Sequence, residues 1–299
     1  MQSYPAIIGQ VVMALYNFVD TIFVGQTVGM NGVAAVSIVM PAYLIITSFA
    51  LSLGIGAASI ISRALGAKDH HKINTTFGGA QLTILIMTGI IVALCLLFKD
   101  PLLRLFGATP EVWELSSTYF SIIIFGQIFA GFMFANTAII RSIGDTKTVM
   151  IINIFGAILN VILDYLFMFV RNWGIAGAAR ATVVSWFVSS IYGLWYYFKQ
   201  QHSIQISFRY FVLRWETLKE IFLLGIPTFF RQVIGSITII IVNNLLRTNG
   251  GTDAISAFGL TQRILMLFMM PIFGVTQGLA PIIGYNYGAE KHHRVREVL

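Results

Sequence analysis

Long apolar stretches without a charged residue are the feature that most limits how this chain can fold. Five of them contain no Asp, Glu, Lys or Arg: 21–62, 73–98, 115–140, 181–198 and 264–289. Each is close to or longer than the ~20 residues that a helix needs to cross a bilayer. A content of 57% hydrophobic and 10% charged residues agrees with this pattern. The sequence therefore predicts an all-α integral membrane protein.

Hydropathy, together with the positions of glycine, proline and charge, predicts eight transmembrane helices. They cover 4–24, 33–62, 78–98, 118–140, 149–170, 178–198, 221–246 and 254–284. The second would be about 45 Å long at 1.5 Å per residue, which exceeds the thickness of a bilayer core. We expect it to tilt, kink or project, with Pro41, Gly54 and Gly56 as the places for a bend.

Lysine and arginine are concentrated in every second connection between these helices. The connections after helices two, four, six and eight hold twelve, against five in or beside the others. Because cytoplasmic loops carry the excess, we expect a cytoplasmic N-terminus and a multi-pass protein of the plasma (cytoplasmic) membrane. The net charge of +7 then reflects topology, and no nucleic-acid partner is predicted.

An internal repeat divides the chain. The segment GAKDHHK at 66–72 recurs as GAEKHHR at 288–294, an offset of 222 residues, and the same offset pairs Pro5 with Pro227 and Gln10 with Gln232. Six helices separate the copies, so both would insert in the same orientation. We expect two parallel six-helix repeats, with eight of twelve helices present and about 145 residues missing.

The predicted units are an N-lobe at 1–198 with helices one to six, a cytoplasmic inter-lobe loop at 199–220, and an incomplete C-lobe at 221–299 with helices seven and eight.

Two carboxylates lie inside predicted helices, where an ionisable residue costs ~2.5–3.5 kcal/mol on insertion scales and is a functional candidate. They are Asp20 and Asp164. Asn160 precedes Asp164 by one helical turn, and Thr182 lies near the same depth in helix six, so the four side chains could share one level. These oxygens suit Na⁺, and two nearby carboxylates also suit H⁺. The alternative is that Asp20 caps the break before Gly25 and that Asn160 and Asp164 only join helices by hydrogen bonds.

Other polar residues inside the predicted helices are weaker candidates. We considered Asn17, Gln10, Arg231 and Asn243 for substrate binding; Arg231, like Arg263, could instead snorkel or pair with one of the missing helices, and Asn243 could join helices. Pro5 is either a harmless residue near a helix start or a bend point. The paired histidines of the repeated loop show no ligand spacing, so no metal site is predicted beyond Na⁺ at the cation site.

These residues occur in a recognisable order. The sequence resembles the multidrug and toxic compound extrusion (MATE) family, nearest its prokaryotic DinF/MepA-like branch, over almost the whole chain. The motifs that carry the resemblance are Pro5, NFVDTIFVG at 17–25, GIGAA at 54–58, GA at 66–67, RSIGD at 141–145, LNVILDY at 159–165, GIAGAARAT at 174–182 and GIP at 225–227.

The resemblance implies a twelve-helix antiporter that exports cationic amphipathic drugs or organic cations in exchange for H⁺ or Na⁺, acting as a monomer in lipid without another cofactor. Asp20 then matches the aspartate of the first helix, and Asn160, Asp164 and Thr182 match the cation site of the N-lobe. Pro5 matches a proline at which the first helix bends. Arg231 stands near a position where some members carry a glutamate.

Three alternatives remain open. A lipid-linked oligosaccharide flippase of the same superfamily would have a cavity rich in arginine. A non-functional, truncated remnant would not respond to cations. A membrane-embedded enzyme would need a nucleophile and base, or a metal site, at membrane depth, and no histidine lies in a predicted helix. We therefore expect a transporter and not an enzyme.

Overall fold

The computed structural model describes residues 3–199, 204 and 207–298, and the regular structure in these ranges is helical. The α-helices are α1 (Ser3–Thr27), α2 (Met30–Gly66), α3 (His70–Leu97), α4 (Lys99–Leu105), α5 (Trp113–Ser142), α6 (Thr146–Asp164), α7 (Gly174–Lys199), α8 (Trp215–Gly288) and α9 (His292–Val298). Short 3₁₀ turns occupy Pro110–Val112 and Phe208–Tyr210, and a π-helical segment, Tyr165–Val170, continues α6.

Seven of the helices in this part of the chain are long and apolar enough to cross a membrane. Large apolar side chains also cover their outer faces, among them those of Leu85, Ile90, Phe125, Ile162 and Phe268. Exposure of such apolar surfaces to water is unfavourable, whereas lipid tails are as apolar as these side chains and can surround them. The architecture is an α-helical bundle with an apolar exterior.

Several helices begin earlier than hydropathy predicts. α3 begins at His70 instead of 78, and α8 begins at Trp215, so the last six residues of the predicted inter-lobe loop are helical. The prediction was wrong here because hydropathy marks the part of a helix that lies in lipid, whereas capping decides where it begins. Asp69 caps α3 by accepting a hydrogen bond from the Lys72 amide at 2.9 Å. Residues 200–203, 205 and 206 of that loop lie outside the described ranges.

The 74-residue α8 is two helices joined at Gly251, whose φ of 65° and ψ of −158° are not helical. Ser236 donates to the Pro41 carbonyl at 3.0 Å, and Gly225 lies against the backbone of Ser52, so the first segment runs antiparallel to α2. Ser256 donates to the Met30 carbonyl at 2.9 Å, and residue 288 reaches the other end of α2, so the second segment runs parallel to it. The chain therefore turns back at Gly251 and lays both segments along α2.

The ends of α2 and α8 have the same backbone geometry, at positions 222 residues apart. Lys68 and Glu290 both have positive φ, 58° and 59°, although neither is glycine. The Lys68 amide donates to the Leu65 carbonyl at 3.2 Å, and the Glu290 amide donates to the Tyr287 carbonyl at 3.1 Å. The repeated sequence thus forms the same helix-ending turn in both places.

The buried apolar residues form two clusters, one near each end of the bundle. The first joins Val24, the start of α2, Phe106 and Phe120 with Trp186 of α7. The second joins the last half of α2 to α3, α7 and the start of α8, and it includes Ile60, Phe77, Ile84, Tyr197 and Ile221. Asp20 and Asp164 lie beside the first cluster, since the charges of both interact with Tyr119, which belongs to it.

Candidate cation site

α1 carries Asp20 into the bundle in its last third. The Asp20 side chain is buried, with 6% exposed, and its Oδ1 atom makes no hydrogen bond within the described ranges. The neighbouring polar groups are satisfied by their own helix: Asn17 Nδ2 donates to the Met13 carbonyl at 2.7 Å, and Thr21 donates to the Asn17 carbonyl at 2.8 Å. Asp20 is therefore the acceptor on this face that lacks a local partner.

α6 supplies the second carboxylate at its last residue. Asp164 is fully buried, and in the described part of the chain neither of its oxygens accepts a hydrogen bond. The helix changes to π geometry at the next residue, Tyr165. Such segments are rare and occur frequently at functional sites. The predicted helix at 149–170 is therefore helical throughout, but its last six residues have π instead of α geometry.

α7 completes the arrangement. Asn160 Nδ2 donates to Thr182 Oγ1 at 3.4 Å, which joins α6 to α7, while Asn160 Oδ1 makes no hydrogen bond among the described residues. Asp20 and Asp164 come from helices that pack together at this depth, where the rings of Phe23 of α1 and Phe169 of the π segment lie 5.2 Å apart. The structure therefore brings the four predicted cation-site residues together from three helices, although their role in binding a cation stays a prediction.

The chemistry of this oxygen set is that of a small hard cation. Leaving a buried polar acceptor without a partner costs about 1–3 kcal/mol, and more when it is charged. Four such oxygens belong to Asp20, Asn160 and Asp164. A proton shared by the carboxyls, or a Na⁺ ion coordinated by them, would satisfy several at once.

A narrow cavity of about 20 Å³ lies next to this site, between α1, α5, α6 and α7. Asn160 and Thr182 line it, with Tyr16, Ser185 and Trp186. A volume of this size holds about one water molecule, whereas pockets for drug-sized ligands measure roughly 300–1,000 Å³. The cavity can therefore admit a hydrated proton or a small ion, but not a drug, in this conformation.

Sequence reasoning missed the groups that surround the carboxylates. Tyr16 lines the cavity beside the site, the Tyr43 ring lies 6.0 Å from that of Trp186 in the same lining, and Tyr119 is buried in the first apolar cluster. Arg263, in the second segment of α8, donates from Nη1 to the carbonyl and to Oδ1 of Asn17, both at 3.4 Å. Since residues 17 and 263 are far apart in the chain, only the fold reveals this contact.

Comparison with known proteins identifies the family. The family model MatE matches residues 5–166 and 226–299, which is most of the chain.

The chain belongs to the MatE family.

Its MATE relatives are similar over nearly its whole length. The multidrug export protein MepA of Staphylococcus aureus is 28% identical over 302 residues, 99% of this chain and 65% of MepA. The solved structure of the MATE multidrug transporter DinF-BH, in complex with a small molecule, has a TM-score of 0.94 and 40% identity, over 99% of this chain and 66% of that one. An outward-facing multidrug resistance MATE family transporter has a TM-score of 0.89 and 31% identity, over 99% of this chain and 66% of that one.

The chain spans 65% of the length of the curated MATE relatives that it matches first. Family membership and the seven long apolar helices together make it a multi-pass membrane protein. The family resemblance derived from the sequence motifs is confirmed.

The four residues considered for substrate binding occupy different places in this MATE fold. Asn17 lies beside Asp20 and holds Arg263. Gln10 donates to Gln277 Oε1 at 2.9 Å, and Arg141 of α5 donates to the same oxygen. These contacts tie α1 and α5 to α8.

Arg231 and Asn243 lie apart from the carboxylates. Arg231 is exposed, and its guanidinium lies 5.6 Å from the centre of the Phe273 ring. Asn243 is buried, and its Nδ2 donates to the Ser37 carbonyl at 3.4 Å. Pro41 has no amide hydrogen to donate to that carbonyl, so Asn243 replaces a missing helical bond. This contact joins α8 to α2, and a role of Asn243 in substrate binding stays a prediction.

Pro5 lies in the first turn of α1, which begins at Ser3. A proline is tolerated there because the first amides of a helix have no partner within it. A bend at Pro5 stays a prediction.

Proposed function

We propose that this chain forms the cation-coupling part of a MATE antiporter, which exports cationic amphipathic drugs or organic cations in exchange for H⁺ or Na⁺. The observation that carries the proposal is the group of buried oxygens without hydrogen bonds on Asp20, Asn160 and Asp164. Isolated buried atoms without a partner, such as Asn243 Oδ1, occur elsewhere in the described part of the chain, but here four such oxygens are concentrated on three residues and two of them belong to one carboxylate.

The coupling follows from the cost of burying charge. Two ionised carboxylates near each other in a low-dielectric bundle repel, and a bound cation relieves both the repulsion and the missing coordination. Any conformation that holds the carboxylates together then binds the cation more tightly, and by linkage the cation favours that conformation. Alternating access requires this reciprocal effect, with drug and cation favouring opposite states.

The substrate class is taken from the relatives. MepA is named a multidrug export protein, and DinF-BH is a MATE multidrug transporter whose solved structure is a complex with a small molecule. A cavity of about 20 Å³ excludes molecules of drug size. We infer that drugs bind in another conformation, in which α8 moves away from α1 and α2 and the carboxylates face the opening.

The membrane arrangement of this proposal has eight crossings, because the two segments of α8 run in opposite directions along α2. The segment at 1–198 is the N-lobe, and the second lobe begins after the connection at 199–220. The shared turn at Lys68 and Glu290 supports parallel repeats. The N-terminus is cytoplasmic, the membrane is the plasma membrane, and the transporter acts as a monomer.

A lipid-linked oligosaccharide flippase is less well supported. That function needs cationic side chains that converge on one cavity to bind a pyrophosphate. Of the two arginines inside α8 that could serve this purpose, Arg231 is exposed and lies over the Phe273 ring, whereas Arg263 donates to Asn17 of α1, so they contact different groups. We therefore keep export of cationic drugs as the proposed function. MATE proteins are transporters, and no enzymatic activity is proposed.

The test uses the full-length product of the native gene, reconstituted into vesicles with a fluorescent cationic dye. Na⁺ and pH gradients are imposed separately, and dye transport is measured for wild type, Asp20→Asn and Asp164→Asn. Both variants should lose gradient-driven transport while inserting normally. Asp100→Asn, which removes an exposed carboxylate of α4, is the matched control and should transport as wild type does. Wild-type transport by either site variant would refute the proposal.

A further inference from the structure

Arg263 is a cationic side chain inside the bundle that the cation-coupling mechanism has not yet used. It belongs to the second segment of α8, yet it reaches α1, where it donates to the carbonyl and the side-chain oxygen of Asn17 at 3.4 Å each. Its side chain is partly buried. A guanidinium in such a place needs a source of negative charge close by.

That source is the carboxylate pair. Asn17 and Asp20 lie three residues apart on α1, so their side chains share one face, and the hydrogen bond to Asn17 Oδ1 places the Arg263 guanidinium on that face next to Asp20. Within the described residues, the ion pairs closer than 4.0 Å are those of Glu220 with Arg63 and Lys72. Arg263 therefore acts on Asp20 from a distance and leaves the carboxylate oxygens accessible to another cation.

The other titratable groups around this site are uncharged or acidic. Tyr16 of α1, Tyr43 of α2 and Tyr119 of α5 face the same region, and Asp164 approaches from α6. Among these neighbours Arg263 carries the positive charge. With both carboxyls ionised, the site and Arg263 together have a charge of about −1, because two negative charges meet one positive charge.

We propose that Arg263 is a built-in counter-charge that limits the Asp20–Asp164 site to one monovalent cation and lowers its affinity for that cation. This inference rests on the proposed function, since it assumes that the carboxylates bind H⁺ or Na⁺. One bound cation brings the local charge to zero. A second would leave an excess positive charge in a low-dielectric environment.

The same residue links occupancy of the site to the contact between the two parts of the fold. Before a cation binds, Asp20 attracts Arg263 and so holds α8 against α1. A cation bound at Asp20 cancels this attraction and leaves the two long hydrogen bonds to Asn17. Cation binding therefore weakens the α1–α8 contact at this depth.

The experiment measures cation binding to the full-length product of the native gene. Radioactive Na⁺ is titrated at alkaline pH, and protons are titrated without Na⁺, for wild type and Arg263→Gln. The variant should bind the coupling cation at least about tenfold more tightly, because it loses a positive charge that repels the bound cation. It should also bind close to two cations instead of one. Arg263→Lys retains the charge and should bind a single cation.

The matched control is Arg247→Gln, which removes the same charge from an exposed position of α8 and should leave affinity and stoichiometry unchanged. Unchanged affinity and one bound cation in Arg263→Gln would overturn the inference. Should that variant not fold, Asn17→Ala replaces it. Asn17→Ala removes one acceptor of Arg263, so the guanidinium moves toward Asp20 and cation affinity should fall about threefold, whereas no change would again overturn the inference.

The design separates this inference from the proposed function. Failure of the wild type to bind either cation refutes both. Binding that Asp164→Asn abolishes, combined with no effect of Arg263→Gln, refutes only the role of Arg263.

Discussion

Replacing Asn243 by leucine tests whether its amide supplies the bond that Pro41 cannot make. The Asn243 amide donates to the carbonyls of Ser37 and Phe106 at 3.4 and 3.5 Å. Hydrogen bonds between membrane helices contribute about 0.6 kcal/mol each on average, so the loss of both costs about 1 kcal/mol. The Ser37 carbonyl is then left without a donor in the helix, which adds about 1 kcal/mol. We expect Asn243→Leu to lower the free energy of unfolding by about 2 kcal/mol.

The decisive measurement repeats Asn243→Leu in a Pro41→Ala background. Alanine restores the helical amide, which donates to the Ser37 carbonyl and makes Asn243 dispensable there. The cost of Asn243→Leu should fall to about 1 kcal/mol, so the double-mutant cycle should give a coupling energy of about 1 kcal/mol.

Equilibrium unfolding of the purified protein in mixed micelles, followed by tryptophan fluorescence, gives these free energies. Equal costs in the two backgrounds, within about 0.3 kcal/mol, would refute the reasoning. A loss of drug binding without loss of stability would instead return Asn243 to the substrate site.

Two further substitutions test how α2 packs on α8. Gly56→Ala places a Cβ atom against the backbone carbonyl of Ile221, which cannot rotate away, and should destabilise the fold by about 1–3 kcal/mol in the same unfolding assay. Gly89→Ala is its control, because nothing lies within 4 Å of a Cβ there, and it should be neutral or stabilising; equal losses would contradict the packing argument. Glu220→Gln removes the contacts with Arg63 and Lys72 at 3.3 and 3.0 Å, but these side chains are partly in solvent, so the loss should be under about 1 kcal/mol and should shrink at high ionic strength. A larger loss, or one that salt does not change, would show that this pair of contacts is shielded from solvent.

Much of the fold could be predicted from hydropathy, because a bilayer forces each crossing to satisfy its own backbone. The predicted helices at 4–24 and 33–62 correspond to α1 and α2 with small extensions. The predicted gap at 247–253 corresponds to the turn at Gly251. Helix starts were less accurate because they depend on caps and solvated turns, which carry little hydropathy signal.

Part of the candidate cation site could also be predicted from the sequence, and part could not. The four-residue spacing of Asn160 and Asp164 predicted that both side chains lie on one face of α6. Asp20 and Thr182 were assigned to the same site only because their predicted depth in the membrane is similar. The π geometry after Asp164 has no sequence signature. The pairing of Arg263 with Asn17 depends on how distant helices dock, which local periodicity does not encode.

The two ends of the α2–α8 contact are built from different kinds of interaction. Toward Gly66, glycines bring the backbones together, as where Gly288 lies against the Arg63 carbonyl. Toward Met30, hydroxyl side chains make the contact, as where Ser256 donates to the Met30 carbonyl at 2.9 Å. Backbones in direct contact through glycine can separate only if the whole helices move apart. A serine hydroxyl, in contrast, can replace its carbonyl acceptor by a water molecule at little cost in free energy. If α8 rocks against α2, we therefore expect the contact near Gly66 to act as the pivot and the contact near Met30 to open.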